Sequence, residues 1–134
     1  MSYFSKEEFQ CPCGCGEYAM DPLVITKLEV ARQLLGRAIT LASAVRCLVH
    51  NESVGGSPTS SHLVMLRQDK RQACAVDISV DDGNDCFDII SVLLRVGFTR
   101  IGVRSKGDRR FIHADLDTSK NQMVMWTYNE PTPA

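Results

Sequence analysis

Apolar residues Leu23, Leu28, Val30, Ala31, Leu34 and Leu35 recur at helical spacing directly behind an Asp21-Pro22 pair. Aspartate accepts the free N–H groups of a first turn, and proline at the first helical position gives up an N–H that has no partner there, so the pair predicts a helix start. Gly36 predicts its end. "RAITLASAVR", residues 37–46, is short, apolar and bounded by glycine and a polar loop, which predicts a buried strand. "NESVGGSPTSS", residues 51–61, is loop chemistry throughout. "ACAVDISV", residues 73–80, reads as a second buried strand, and "NDCFDIISVLLRV", residues 84–96, as an amphipathic helix capped by Asn84 or Asp85 and closed by Gly97. "FTRIGV" and "RFIHADL" then predict two strands joined by the polar turn "RSKGDR", with "MVMWTY" adding an edge strand. This order points to an α+β domain with helices packed on a mainly antiparallel sheet.

Length and composition narrow the picture without changing it. A chain of 134 residues fits one domain with a proper core, expected over residues 1–130, and the proline-rich end leaves 131–134 as a flexible tail. A net charge of -1 gives no reason to expect nucleic acid as a partner. No apolar run reaches the roughly eighteen residues of a membrane span, and "MSYFSKEEFQ" has neither a basic nor an apolar leader region. Cytoplasmic synthesis without membrane insertion is the expectation, and with it six cysteines read as reduced thiols.

The three histidines, His50, His62 and His113, sit in different settings. His113 and Asp115 fall two apart in a predicted strand, so an imidazole and a carboxylate project from one face. His62, Asp77 and His113 together make a two-nitrogen, one-oxygen set of the kind that leaves tetrahedral Zn²⁺ an open position. A surface His62, a solvated Asp77 and a core His113 would satisfy the same residues, and spacing leaves both readings open. "CPCGCG" brings Cys11, Cys13 and Cys15 close enough to raise a thiolate metal site. C-x-C-x-C is not a standard structural zinc spacing, however, and a fourth ligand is not marked, with Cys47, Cys74 and Cys86 as the available candidates. A packed N-terminal element is the simpler reading.

"SAVRCLVHNESVGGSPTSSHL", "AVDI", "GFTRIGVRSKGDRRFIHAD" and Trp126, in that order, resemble the M15 zinc peptidases of the D-alanyl-D-alanine carboxypeptidase and phage endolysin type. The match is to the short phage-type members, with S-x-x-R, h-N, G-G, S-x-H, A-x-D-I, G-F-x-R-I-G and F-I-H-x-D, and it runs from "EEFQCPCGCG" to Trp126. The resemblance implies a hedgehog/D-Ala-D-Ala-peptidase-like α+β fold, a Zn²⁺ cofactor held by His62, Asp77 and His113, and hydrolysis of the peptide stems of bacterial peptidoglycan. It implies a substrate-binding and oxyanion role for Arg46 of the S-x-x-R element that Ser43 opens. Ser60, two residues before His62, is placed to bond substrate or to form a turn.

Two departures accompany the resemblance. The usual H-x-x-G-x-A-x-D pattern is stretched here, and "VMLRQDKRQ" reads as a hairpin-like excursion inserted between ligands at small entropic cost. Its cluster Arg67, Asp69, Lys70 and Arg71 reads as a solvated turn or a rim for substrate carboxylates. The acidic residue that many members carry three positions before the last histidine is Arg110 here, which leaves Asp115 as acid/base or as partner of a ligand, and Asp108 and Asp117 as weaker substitutes. His50 is expected in the loop and not at the metal, and Trp126 in the core or a cleft wall. The expected whole is a monomeric zinc peptidase reaching the wall after phage-type release. The alternative is a zinc-stabilised binding or structural module without turnover.

Overall fold

The structure, a computed structural model, describes residues 2–128; the tail expected at 131–134 lies outside the described residues. In chain order the elements are α1 (Lys6–Phe9), α2 (Pro22–Leu35), β1 (Leu41–Ser43), α3 (Leu48–Ser53), β2 (Met65–Arg67), β3 (Lys70–Gln72), β4 (Ala75–Ser79), α4 (Gly83–Val96), β5 (Arg100–Arg104), β6 (Phe111–Asp115) and β7 (Val124–Thr127). Five strands form one sheet in the order β1-β4-β6-β5-β7, antiparallel except for the β5–β7 pair, and β2 with β3 forms a separate hairpin. This is the predicted mixed architecture, with β7 at the predicted edge.

Helix α2 starts where the Asp21-Pro22 pair predicts, with the Asp21 carboxylate accepting from Leu23 N, and ends on left-handed Gly36. Its buried stripe is Val24, Leu28 and Ala31, with Leu35 partly buried, whereas Leu23, Val30 and Leu34 are exposed. Steps of four and three keep 24, 28, 31 and 35 on one line; 23, 30 and 34 share a neighbouring line that faces water. Helix α4 begins at Gly83 with Asp82 as its cap, two or three residues before the start that a cap at Asn84 or Asp85 predicts, because the Asp82 carboxylate accepts from Asp85 N and takes Asn84 and Asp85 into the first turn. It packs on α2 and on β6, burying Ile89 and Leu93.

Alternation along the central strands sends Val76 and Ile78 of β4, Ile101 of β5, and Ile112 and Ala114 of β6 into this apolar core. The intervening residues fall on the opposite face. Register there places Asp77 beside His113, His113 beside Gly102, and Gly102 beside Trp126, one row across four strands.

Three local predictions need correction. The strand expected over 37–46 is ordered as a strand only at Leu41–Ser43, because Val45 N donates to Phe9 O and Arg46 N to His62 O instead of to a sheet neighbour. The loop expected from residue 51 begins late, since α3 carries through Ser53 and holds His50 and Asn51 in a helix. The excursion "VMLRQDKRQ" does contain a hairpin, but it is tied down: Arg67 is 12% exposed in its side chain, pairs with Asp117 at 3.1 Å, and donates to the carbonyls of Ser60, Leu63 and Gln72. Only the tip, Gln68 to Arg71, matches the solvated reading.

Candidate active site

His62, Asp77 and His113 are all buried, and one donor atom from each lies within 4.8 Å of the other two. His62 Nε2 is 3.2 Å and His113 Nδ1 3.0 Å from Asp77 Oδ1. Asp77 and His113 are delivered by neighbouring strands in register; His62 comes from the loop after α3, which a parallel bridge between Arg46 and Leu63 holds against residues 44–46. The hairpin lies wholly between the first two candidate ligands in sequence and none of its residues lines their cavity, so its length does not separate them.

The remaining ring nitrogens identify what the cluster is suited to hold. His62 Nδ1 sits 2.7 Å from the Ala44 carbonyl oxygen, which can only accept, so this nitrogen carries a hydrogen and Nε2 presents either a lone pair or a second proton to Asp77. His113 Nε2 donates in the same way to Asp115 Oδ2 at 2.7 Å, leaving Nδ1 toward Asp77. Two imidazole nitrogens and a carboxylate oxygen therefore face one another with their hydrogen-bond partners on the far sides. Only positive charge makes that favourable, either protons on the rings or a metal ion. Backing each ring with a carbonyl or carboxylate is how proteins orient histidine ligands.

Electrostatics agree with the geometry. Burial pushes the Asp77 carboxyl up, but the two imidazoles outweigh it and hold the group well below the usual carboxylate range. Burial pushes His113 down, and hydrogen bonds to Asp115 and Asp77 reverse that and raise it above 6.5.

A cavity of about 230 Å³ opens onto this cluster, and all six residues assigned a site role from sequence line it: Arg46, Ser60, His62, Asp77, His113 and Asp115. A larger cleft of about 660 Å³ lies between α2 and the hairpin, but it contains none of the six. Arg46 brings a terminal guanidinium nitrogen to 3.6 Å from Asp77 Oδ2, while Ser43 Oγ accepts from its Nε and Asn51 Oδ1 from its Nη1. Ser60 Oγ accepts from His62 N at 3.1 Å and shapes the turn that presents the ligand. Asp115 is 1% exposed. Its oxygens meet His113 Nε2, Arg100 Nε at 3.0 Å and the backbone N–H of Asp117 at 2.9 Å.

The other candidates lie apart. Asp108 is exposed in the β5–β6 turn. Asp117 is buried but held by Ser61, Arg67 and Ser119, and Arg110 points its guanidinium at the Asp81 carbonyl, 2.6 Å away. His50 joins neither cluster of candidate ligands. Trp126 forms the cleft wall, its ring 5.4 Å from that of His113. Gly102 makes this possible: a Cβ there would lie 2.7 Å from the indole, so only glycine lets the ring cross β5 toward His113.

Sequence reasoning missed Asn51, Arg100, Lys120 and Tyr128, which also support or line the cavity. Asn51 had a signal in the h-N and G-G elements: its buried amide donates to Ser57 O, accepts from Arg46, and would lie 2.1 Å from a Cβ at Gly56. Lys120 and Tyr128 had none, because they reach the site only through the path of β7 and the loop before it.

A comparison with curated proteins gives no match. The family profile described as Peptidase M15 matches residues 2–115, a span that holds all three candidate ligands and most of the cavity wall. Coverage of that extent makes the chain a member of the Peptidase M15 family, and by family a peptidase.

Proposed function

We propose that the chain is a zinc-dependent peptidase that cleaves the peptide stems of bacterial peptidoglycan, with the hedgehog/D-Ala-D-Ala-peptidase-like fold. The observation that carries this reading is the convergence of His62 Nε2, Asp77 Oδ1 and His113 Nδ1 within 4.8 Å, each imidazole backed by an acceptor, at the floor of an open cavity. These three atoms would hold the ion. When bound, zinc supplies Lewis acidity toward a scissile carbonyl and lowers the pKa of a water toward neutrality.

The chain's own residues divide the remaining work. Asp115 fixes the His113 tautomer and is a positioning residue; its burial and its three partners support that role over one as an exposed base. The Ala44 carbonyl does the same for His62. Arg46 is braced by Ser43 and Asn51 yet lines the cavity, which suits its fork to a substrate carbonyl or carboxylate and to charge that develops on oxygen. Trp126 walls the cleft against water and offers a flat apolar face to a stem peptide. The chain acts as a monomer and reaches the wall after phage-type release.

One observation favours a second reading, a zinc-stabilised wall-binding module without turnover. The only carboxylates among the described residues lining the cavity are Asp77 and Asp115, and both are engaged. Incubating the protein with purified peptidoglycan separates the two. The peptidase reading predicts new amino termini or free D-alanine, abolished by chelator, restored by zinc, and absent in His113→Ala. Release that ignores chelator would refute zinc dependence, and zinc-dependent sedimentation with the wall without cleavage would establish the binding module.

A further inference from the structure

Cys11, Cys13, Cys15 and Cys47 bring their four sulfurs within 4.8 Å of one another at the surface, away from the cavity described above. We propose that these four thiolates form a second metal site, a tetrahedral structural Zn²⁺ centre.

Distances fit that chemistry. Zn–S bonds of about 2.3 Å set the sulfur–sulfur edge of a tetrahedron at about 3.8 Å. Cys11–Cys13, Cys13–Cys47 and Cys11–Cys47 are 3.5, 3.5 and 3.8 Å apart. The backbone is shaped to produce the convergence. Along an extended strand, residues two apart are separated by about 6.7 Å. Here Gly14 and Gly16 adopt φ of +87° and +84°, left-handed values that turn the segment back on itself, and Cys11 N closes the loop on Glu17 O at 2.8 Å.

Packing accounts for only half of the cluster. Cys11 belongs to the core and Cys47 packs against it, but Cys13 and Cys15 are exposed, so no apolar cover draws their sulfurs to the other two, and S–H groups are weak hydrogen-bond donors. Ordering a glycine-containing loop for such contacts alone would cost more than they return. A single disulfide does not use the arrangement either, because Cys13 is equidistant from Cys11 and Cys47. The remaining cysteines, Cys74 and Cys86, are buried in the core and join no such group. Within the cluster the thiols titrate unevenly: Cys47 is held down at about 7, first because His50 N–H donates to its sulfur and then through its thiol neighbours, whereas at Cys13 the Cys15 backbone N–H is outweighed by the thiol neighbours, which push it up to about 12. Four converging soft sulfurs, two of them exposed to solvent, select zinc over hard cations.

The site would tie residues 11–15 to the segment just before α3. Cys47 follows Arg46 directly, and that segment also carries the Ala44 carbonyl that orients His62 and the Val45 N–H bonded to Phe9 O. The centre is therefore a brace for the active-site wall.

The test is zinc stoichiometry of the full chain, purified under reductant, by native mass spectrometry, together with the absorption of its Co²⁺-substituted form. Two zinc ions per chain and sulfur-to-cobalt charge-transfer absorption are expected. Cys13→Ser/Cys15→Ser should lose one ion and the absorption, and His113→Ala should lose the other ion and keep the absorption. Absence of charge transfer in wild-type protein with six titratable thiols would overturn the proposal, without need of any variant. So would two ions retained in the double serine variant. One ion in wild type, lost on cysteine substitution, would uphold this site while refuting the zinc centre at His62.

Discussion

His113 touches two carboxylates with its two ring nitrogens, Asp77 at 3.0 Å and Asp115 at 2.7 Å, and the roles of these acids follow from what else they touch. Asp77 shares its Oδ1 with His62, so it belongs to the ligand cluster. Asp115 is committed to His113, Arg100 and the Asp117 backbone, so it acts through the ring. Loss of such a partner of a metal ligand typically costs 10–100-fold in affinity or activity. Asp115→Asn keeps the shape and an acceptor but removes the charge, and should weaken zinc binding by roughly tenfold. Competition with a chromophoric chelator measures this; affinity equal to wild type would assign Asp115 some other role.

At the scale of elements, the inserted hairpin is the feature whose sequence misleads most. Arg67 has the look of one more charge in a polar run, yet it is the pin of the excursion, half-buried and bonded to Asp117 and three carbonyls. The Asp117 carboxyl is raised by burial and more than compensated by Ser119, Ser61 and Arg67, which hold it below the ordinary range. Removing one partner of a buried pair leaves the other uncompensated, so Arg67→Met should cost about 3 kcal/mol of stability. Urea unfolding reads this directly, and a loss near zero would return Arg67 to the solvated class. Legibility followed locality in the rest of the fold. The Asp21-Pro22 start, both glycine ends, the buried runs of β4 and β6, and the candidate ligands His62, Asp77 and His113, which the fold brings together, were readable because caps, periodicity and motif order are written in neighbouring residues. The shortening of the first strand, the anchoring of Arg67 and the arrival of Tyr128 at the cavity depend on partners 16, 50 and more residues away, as in the Arg46–His62 and Arg67–Asp117 contacts, and no local pattern carries them.

For the whole molecule, the ligand cluster links stability to pH with opposite signs in the two metal states. Without zinc, the raised pKa of His113 means that the folded state binds its proton more tightly. That contribution is complete below the unfolded value of 6.5 and is lost as pH rises through the folded value. The lowered Asp77 pKa works the other way, contributing above 3.8 and fading as pH falls toward its folded value. Chelated protein should therefore be most stable in mildly acidic buffer and lose stability as pH rises above 6.5. Zinc-loaded protein should gain over the same interval, because ligand imidazoles must be neutral. Parallel thermal melts check the crossing, and identical profiles with and without chelator would show that no metal engages these groups. The claim on which the rest depends is that three side chains from separate segments share one ion, and diffraction at the zinc absorption edge addresses it most directly. The account predicts an anomalous peak within about 2.0–2.2 Å of His62 Nε2, Asp77 Oδ1 and His113 Nδ1 together. A map from zinc-supplemented crystals with no peak among those atoms would contradict it.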